Sequence, residues 1–225
     1  METQILKYLL IEHLPLLVNS YENAFGEIGK EKSNIFFDGE IITSLEGITL
    51  QELLEKESYH YILINTDFAP WRNQTYKTPL AFLVRIRKHQ PHIRVMVSFQ
   101  RASVCAFREV YSQIAPDCMV EATDCTSQTV RQAITHLIAG EVFYSKTILE
   151  LFQLFIKANH FLDGQDYEIL HELSIGTPIK ELPDKINLSA TTIFKRRMKL
   201  KLFFQVDGQH DTELVKRAKE QRFIY

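Results

Sequence analysis

The sequence predicts a doubly wound α/β domain with a parallel five-stranded sheet, followed by a small all-α domain. Three observations lead to this prediction. Over roughly the first 145 of the 225 residues, short β-branched apolar runs alternate with amphipathic stretches. Near Ile148 the strand-like runs stop, and the rest of the chain has helical patterns. Short strands that alternate with helices of about 10–15 residues are typical of βαβ units and therefore of a parallel sheet.

Three runs have the composition of buried strands, and weaker candidates complete the sheet. The clear runs are Leu6–Ile11, Tyr59–Ile64 and Ile93–Ser98, and the weaker ones are Asn34–Phe37 with Ile41–Ile42, and Cys118–Val120. Ligand and catalytic groups in parallel sheets gather at the carboxyl ends of the strands. The residues that follow these runs are therefore the place to search for a site.

Helical spacing of apolar residues marks the segments between and after the strands. It predicts helices at Leu16–Phe25, Leu50–Glu55, Pro79–His89, Val104–Ile114, Ser127–Ala139, Ile148–Ala158, Gln165–Leu173, Pro178–Lys185, Thr191–Phe204 and Glu213–Gln221. Thr126 and Ser127 form a typical helix cap, and Gly140 is a typical stop.

The composition is that of an ordinary globular chain. Hydrophobic residues make up 45% and charged residues 24%, which argues against a disordered or fibrous protein. No apolar run approaches the roughly 20 residues of a membrane-spanning helix, and the N-terminus lacks the basic start of a secretory signal. We expect a cytoplasmic protein without membrane contact. Cys105, Cys118 and Cys125 lack metal-ligand spacing and are expected to be reduced, buried thiols.

The net charge of −2 argues at first against a nucleic acid partner, but the charge is unevenly distributed. Up to residue 160 there are 15 basic and 18 acidic residues, and from residue 161 onward there are 11 and 10. Ser189–Phe204 contains five cations and no acidic residue: Lys195, Arg196, Arg197, Lys199 and Lys201. Such a cationic segment is compatible with DNA binding.

Residues 178–204 have the layout of a helix-turn-helix. A short helix is predicted at 178–186, Asn187 and Leu188 form the turn, and Ser189 caps a second, basic helix. In this motif the second helix enters the major groove of DNA. The layout therefore predicts double-stranded DNA as the partner.

Helical spacing separates the second helix into two faces. It places Thr192, Lys195, Arg196 and Lys199 on one face, and Ile193, Leu200 and Phe204 on another that packs against the first helix. The candidate DNA-binding residues are Thr191, Thr192, Lys195, Arg196, Lys199 and Lys201.

The C-terminal segment resembles the LuxR-type helix-turn-helix domains. Leu162–Leu170 is similar to the Leu-Thr-x-Arg-Glu-x-Glu-Val-Leu opening of that family. Gly176, Ile179–Leu182 and Leu188–Ser189 are similar to its Gly-x-Ser-Asn-Lys-Glu-Ile-Ala…Ile-Ser signature, and Glu213–Ala218 to its Glu-Leu-Val-x-x-Ala. The resemblance covers about residues 162–225 and implies DNA binding.

Three positions depart from the LuxR-type pattern. Phe194 and Met198 occupy positions that are often basic in the family, and Pro183 falls where the family prefers Ala. These departures affect the expected sequence specificity more than DNA binding itself. Phe194 has two open interpretations, a core residue or a contact to a thymine methyl group.

With that C-terminal partner, the α/β segment resembles the receiver (flavodoxin-like) domain of NarL/FixJ-type response regulators. Leu9–Pro15 is similar to the family's Ile-Val-Asp-Asp-His-Pro, and Ala139–Ser145 to its Ala-Gly-Glu-x-Tyr-x-Ser. The resemblance implies a receiver-like domain at residues 1–146, a helical linker at 147–161 and a LuxR-type domain at 162–225.

The receiver resemblance also implies which residues occupy the phosphorylation site, and this site is degenerate. The family has an acidic pair, an acceptor Asp, a Thr or Ser, and a Lys; the matching residues are Glu12 with His13, Asn65, Ser98 and Glu121. An amide is not a competent nucleophile, and His is a poor ligand for Mg²⁺. No Lys occurs between Lys88 and Lys146, so a shifted alignment does not restore the lysine.

The missing acceptor Asp and Lys predict that the N-terminal domain is a pseudo-receiver. Together with the helix-turn-helix, this predicts a DNA-binding transcriptional regulator that acts without aspartyl phosphorylation and forms a homodimer. They argue against a histidine kinase as partner. Two alternatives stay open, namely a protein-interaction adaptor with a receiver-like dimerisation domain and a regulator phosphorylated at Asp67.

Other chemistry has little support in the sequence. There is no Gly-rich phosphate loop, no Gly-x-Ser-x-Gly and no metal-spaced His/Cys cluster, so we expect no enzyme activity, no cofactor and no metal site. His13 beside Glu12 is expected to be a hydrogen-bonded histidine. Trp71 is expected to serve packing, although it has the character of an interaction anchor.

Overall fold

The structure of the chain is a computed structural model that describes residues 3–44, 59–67 and 78–225. The predicted helix Leu50–Glu55 and Trp71 lie outside these residues. The chain forms two compact units. The N-terminal unit comprises Met1–Arg101 and Val110–Leu149, and the C-terminal unit comprises Ala102–Glu109 and Glu150–Tyr225.

A parallel sheet forms the centre of the N-terminal unit. Its described strands, in spatial order β2-β1-β3-β4-β5-β6, are β1 Gln4–Ile11, β2 Ile35–Ile42, β3 Tyr61–Asn65, β4 Arg94–Phe99, β5 Cys118–Glu121 and β6 Phe143–Tyr144. The parallel α/β prediction is confirmed. The strand number differs from the predicted five because β6 is two residues long, too short to show a strand pattern in the sequence.

The second strand is longer than its two predicted pieces. It continues through Asp38, Gly39 and Glu40, whose polar character interrupts the apolar pattern. At Gly39 a β-carbon would lie within 2.1 Å of the ring of Tyr8 on the adjacent strand. Glycine is therefore required by the close approach of the Tyr8 ring to this edge strand.

Helices cover the sheet, whose central strands are buried on both faces as in other sheets of this class. Those of the N-terminal unit are α1 Pro15–Glu31, α2 Pro79–His89 and α4 Ser127–Ala139, with a 3₁₀ turn at Ala122–Asp124. The helix α3 Val104–Ile114 is divided between the units, because its residues up to Glu109 belong to the C-terminal unit. The structure confirms the predicted bounds of α2, α3 and α4. Thr126 caps α4 by accepting a hydrogen bond from the Thr129 amide at 3.1 Å, and Gly140 ends it with φ of 80°.

The described part of the C-terminal unit is helical after residue 149, as predicted. It contains most of α5 Lys146–Asn159, then α6 Gly164–Ser174, a 3₁₀ turn at Ile179–Glu181, α7 Leu182–Ile186, α8 Ala190–Phe203 and α9 Asp211–Glu220. Its core includes Leu170, Leu182, Ile193, Leu200 and Phe204, all buried. No helix in the described residues is long and apolar enough to cross a membrane.

Candidate functional site

Two helices of the C-terminal unit form the predicted helix-turn-helix. The first is divided into the 3₁₀ turn and the five-residue α7, because Pro183 occupies the first turn of α7 and has no backbone N–H. Asn187 ends α7 in the left-handed conformation, with φ of 56°. Ser189 then caps α8 by accepting a hydrogen bond from the Thr192 amide at 3.1 Å. The predicted turn and cap are confirmed.

The inner face of α8 is the predicted one. Ile193, Leu200 and Phe204 are buried, and the Phe204 ring packs edge-on against Phe223 at 4.9 Å between centroids. Burial of an aliphatic or aromatic side chain of this size contributes about 1.5–3 kcal/mol to stability. This apolar face fixes the rotation of α8 and therefore decides which of its polar residues reach solvent.

Three of the six candidate DNA-binding residues lie near the N-terminal end of α8. Thr191 and Lys195 are exposed, and Thr192 is half-buried with its hydroxyl 2.8 Å from the Ser189 hydroxyl. In the described part of the chain, Lys195 makes no ion pair. These residues are accessible to a ligand, and their contact with DNA stays a prediction.

Arg196 is engaged by the N-terminus of α6. Its Nη1 atom donates to both carboxylate oxygens of Asp163 and to Oδ1 of Asp166, each at 2.8 Å. Its Nη2 atom donates to the side-chain oxygen of Gln165 at 2.5 Å. The hydrogen bonds that Arg196 donates to Asp163 and Asp166 raise the pKa of Arg196 above its usual value. The guanidinium thus has a structural role in addition to any contact with DNA.

Lys199 and Lys201 also have protein partners. The Lys199 ammonium donates to Oδ2 of Asp166 at 2.5 Å. Lys201 is buried, donates to the Gln209 carbonyl at 2.5 Å and lies 3.0 Å from Oδ1 of Asp211. The same carboxylate pairs with Arg197. Four of the five cations of α8 are therefore held by acidic residues of α6 and α9.

The acidic partners of these cations were not anticipated from the sequence. Asp163 and Asp166 form a reciprocal capping box at the start of α6: the Asp163 side chain accepts from the Asp166 amide at 3.1 Å, and Asp166 accepts from the Asp163 amide at 3.0 Å. An Asp-x-x-Asp pattern before a helical run is a recognisable signal for such a cap. Burial opposes ionisation of Asp163, but the hydrogen bond from Arg196 holds its pKa below the usual value.

A second set of residues lies at the carboxyl ends of the strands in the N-terminal unit. Glu12 follows β1, Asn65 ends β3 and Ser98 belongs to β4; all three are buried, Glu12 and Asn65 completely. The Asn65 amide nitrogen donates to both carboxylate oxygens of Glu12 at 2.9 Å. The Ser98 hydroxyl donates to Glu12 Oε2 at 3.3 Å. The structure thus brings these three predicted residues into direct contact.

Backbone donors complete the environment of Glu12. The amides of His13 and Leu14 donate to Glu12 Oε1 at 2.9 and 3.0 Å. A buried charge is tolerated when its oxygens are surrounded by donors in this way. His13 is half-buried, and its Nδ1 atom lies 3.5 Å from Glu12 Oε1. Both carboxylate oxygens of Glu12 thus accept hydrogen bonds from N–H or O–H groups.

Asp67 lies outside this buried cluster. Its carboxylate is exposed and accepts a hydrogen bond from the Gln100 amide at 2.7 Å. Its own amide donates to the Asn65 side-chain oxygen at 2.8 Å. Asp67 therefore links the turn after β3 to the turn after β4.

Glu121, at the end of β5, occupies the expected lysine position. It is buried, and its Oε1 atom accepts from the Thr123 hydroxyl at 3.1 Å. Burial raises the pKa of the nearby Cys125 thiol to about 12, and the negative charges of Asp124, Glu12 and Glu121 contribute to this rise. In the described residues no group of three or more His, Cys, Asp or Glu side chains is placed to hold a metal ion.

The fold of this chain is similar to that of several solved structures. A structure of two RcsB dimers bound to two parallel DNAs is 15% identical, covering 96% of this chain and 98% of that chain, with a TM-score of 0.62. RcsB from Salmonella enterica serovar Typhimurium, bound to promoter P1flhDC in the presence of phosphomimetic BeF3−, is 14% identical, with 94% and 97% covered and a TM-score of 0.63. This chain shares its fold with the response regulator RcsB. The chain matches no protein-family model and no curated protein.

The receiver part of RcsB matches separately. The isolated REC domain of RcsB from Salmonella enterica serovar Typhimurium is 13% identical, with a TM-score of 0.53, and the match covers 66% of this chain and 99% of that domain. The expected combination of a receiver fold with a helix-turn-helix is therefore confirmed at the level of the fold. At these identities the likeness to RcsB concerns architecture, so the function follows from the residues of this chain.

Proposed function

We propose that this chain is a DNA-binding transcriptional regulator that resembles a two-component response regulator and acts without aspartyl phosphorylation. The observation that carries DNA binding is the open N-terminal end of α8, where the exposed Thr191 and Lys195 follow a capped helix-turn-helix turn. The fold shared with RcsB, which has been solved bound to DNA, supports the same function. We also propose that the receiver-like domain comprises residues 1–146, the helical linker 147–161 and the DNA-binding domain 162–225.

Independence from phosphorylation rests on the buried cluster at Glu12. A receiver that accepts a phosphoryl group needs a carboxylate nucleophile and a bound cation. At the nucleophile position this chain has Asn65, whose N–H groups are directed at Glu12. The neutral N–H groups of the Asn65 amide hydrogen-bond both Glu12 oxygens without a bound cation, so we propose that the site is held permanently in one state.

A homodimer on double-stranded DNA completes the proposal. RcsB has been solved as dimers bound to DNA. Two modest DNA-binding heads gain affinity when they are linked, because the second binding event occurs at a high effective concentration. We therefore expect two half-sites about one helical turn apart.

Two experiments test the proposal on the full chain. In a gel-shift assay over a salt series, the protein is expected to bind selected duplexes with an affinity that falls as salt rises, because phosphate contacts release counterions. Failure to bind any duplex at any salt concentration rejects the DNA-binding function. Incubation with acetyl phosphate and Mg²⁺, followed by intact mass, is expected to give no phosphoryl adduct. An adduct on Asp67 rejects the phosphorylation-independent mechanism and favours the regulator phosphorylated at that residue.

A protein-interaction adaptor is the second candidate function, and one observation favours it. Phe194 and Leu202 of α8 are 58% and 62% exposed, and the intervening Met198 is half-buried, so the helix presents apolar side chains to solvent. Exposed apolar side chains of this kind occur at protein interfaces. An adaptor would show no salt-dependent affinity for DNA in the gel-shift series.

A further inference from the structure

The solvent-facing side of α8 differs from the side that carries most of its charge. Five residues lie within about 60° of one line along the helix, given about 100° of rotation per residue: Thr191, Phe194, Lys195, Met198 and Leu202. Thr191, Phe194, Lys195 and Leu202 are exposed and Met198 is half-buried. We call this set the open face of α8. It is mostly apolar.

The other cations of α8 point away from the open face. Arg196 and Lys199 lie on the flank next to α6, where Asp163 and Asp166 bind them. Arg197 and Lys201 lie on the opposite flank and share Asp211. Lys195 is thus the cation that the open face presents, so this face has few charges available for phosphate groups.

The open face nevertheless suits a nucleic acid. The α8 sequence contains no acidic residue, and the partial positive charge of its N-terminus adds to that of Lys195. Among the base edges in the major groove, the 5-methyl group of thymine is the apolar one, and Phe side chains and Thr methyl groups are typical contacts for it. Apolar side chains beside one cation match a groove that presents thymine methyl groups beside a phosphate.

We propose that α8 recognises thymine methyl groups through Phe194, with Thr191 and Met198 beside it, and that Lys195 supplies the charged contact. This inference rests on the proposed DNA-binding function and adds a specificity to it. It also gives Phe194 and Met198 a role at positions where the LuxR-type pattern is often basic.

The test replaces thymine by deoxyuridine. Duplexes are first enriched from a random pool with the full-length protein, and the thymines of a selected duplex are then exchanged one at a time. Deoxyuridine keeps every hydrogen-bonding group of thymine and lacks the methyl group. At the contacted positions we expect binding to weaken about fourfold for each methyl group removed from an apolar contact.

Variants assign the effect to residues. Phe194→Ala is expected to make thymine and deoxyuridine equivalent at one contacted position. Because the Phe194 side chain is exposed, its removal should change the stability of the fold by no more than about 0.5 kcal/mol. Leu202→Ala is the matched control, since it removes an equally exposed apolar side chain of the same face near the C-terminal end of α8; it should leave the thymine preference intact. Lys195→Ala should weaken all duplexes alike and reduce the salt dependence by about one phosphate contact.

The outcomes separate this inference from the function on which it rests. If no duplex is enriched, DNA binding and thymine recognition are both rejected. If duplexes bind but every deoxyuridine exchange leaves the affinity unchanged, thymine recognition is rejected and DNA binding stands. Loss of the methyl effect in Phe194→Ala with its retention in Leu202→Ala supports the inference.

Discussion

Replacing Asn65 by Asp tests the electrostatics of the buried cluster. The Asn65 amide nitrogen lies 2.9 Å from each carboxylate oxygen of Glu12, which is completely buried. In N65D a second carboxylate takes the place of the donor, and two ionised carboxylates at that separation repel strongly. The pair therefore keeps one proton, as in other sites where two carboxyl groups are in contact.

The free energy needed to keep one carboxyl group protonated at pH 7 determines how much stability N65D is expected to lose. Holding a proton at pH 7 on a carboxyl group with an ordinary pKa near 4 costs about 4 kcal/mol. The protonated oxygen regains one hydrogen bond to Glu12, which returns about 1 kcal/mol. We therefore expect N65D to lose about 3 kcal/mol of its free energy of unfolding at pH 7.

The loss of stability in N65D must depend on pH, and it must grow as the pH rises. In N65D the folded pair has a raised pKa and holds a proton that the unfolded chain releases above about pH 4, so stability falls as the pH rises. Between pH 5 and pH 7 the slope is expected to reach at most about 1.4 kcal/mol per pH unit. Urea denaturation of the full chain at several pH values measures both quantities.

A matched double variant checks the reasoning. E12Q combined with N65D exchanges the carboxylate and the amide, so one donor again faces one acceptor. This variant should regain most of the lost stability and lose the added pH dependence. The account of the cluster is refuted if N65D unfolds like the wild type at pH 8, or if its loss is the same at every pH.

Three further predictions concern other parts of the chain. Arg196→Ala should lower the free energy of unfolding, measured by urea denaturation, by about 2–4 kcal/mol, because it leaves the buried carboxylate of Asp166 with fewer partners. Lys195→Ala removes an exposed side chain and should change that free energy by no more than about 0.5 kcal/mol. Equal effects of the two variants would contradict the assigned roles. Ser189→Ala should cost about 1 kcal/mol through loss of the α8 cap, and an unchanged midpoint would speak against the cap. Burial raises the pKa of the Cys125 thiol to about 12, so little of it is thiolate at pH 8 and mass spectrometry should detect no rapid alkylation of Cys125 in the native protein by iodoacetamide.

The sequence predicted elements best where local chemistry marks both ends. The helix Ser127–Ala139 begins after a Thr cap and ends at Gly140, and the structure confirms both limits. The strand β6 escaped prediction because two residues carry no periodic signal. The strand β2 was predicted in two pieces because the polar Asp38, Gly39 and Glu40 interrupt its apolar pattern. The reason for glycine at position 39 is Tyr8 on the adjacent strand, a contact distant in sequence.

The charges of α8 show where sequence reasoning stops. Counting residues correctly identified a helix with five cations, but the acidic partners of Arg196 are Asp163 and Asp166, about 30 residues earlier in the chain. Spacing alone gave a charged face centred on Thr192, Lys195, Arg196 and Lys199. The open face lies about a quarter turn around the helix from it, since α6 covers part of the charged face. Contacts distant in sequence decide which cations reach solvent.

The sequence indicated that Glu12, Asn65 and Ser98 lie near one another, but it did not indicate how their side chains are arranged. The resemblance to receivers placed Glu12, Asn65 and Ser98 at neighbouring strand ends, and the parallel sheet brings those ends together. The direction of the Asn65 amide toward both oxygens of Glu12 depends on side-chain geometry, which no sequence pattern specifies.

The most direct test of regulation without phosphorylation is one pair of DNA-binding titrations. Fluorescence anisotropy with a selected duplex is measured with untreated full-length protein and with protein incubated with acetyl phosphate and Mg²⁺. We expect the untreated protein to bind, and the two curves to coincide. An increase in affinity of about tenfold or more after treatment, worth about 1.4 kcal/mol, together with a phosphoryl adduct in the intact mass, would contradict the account.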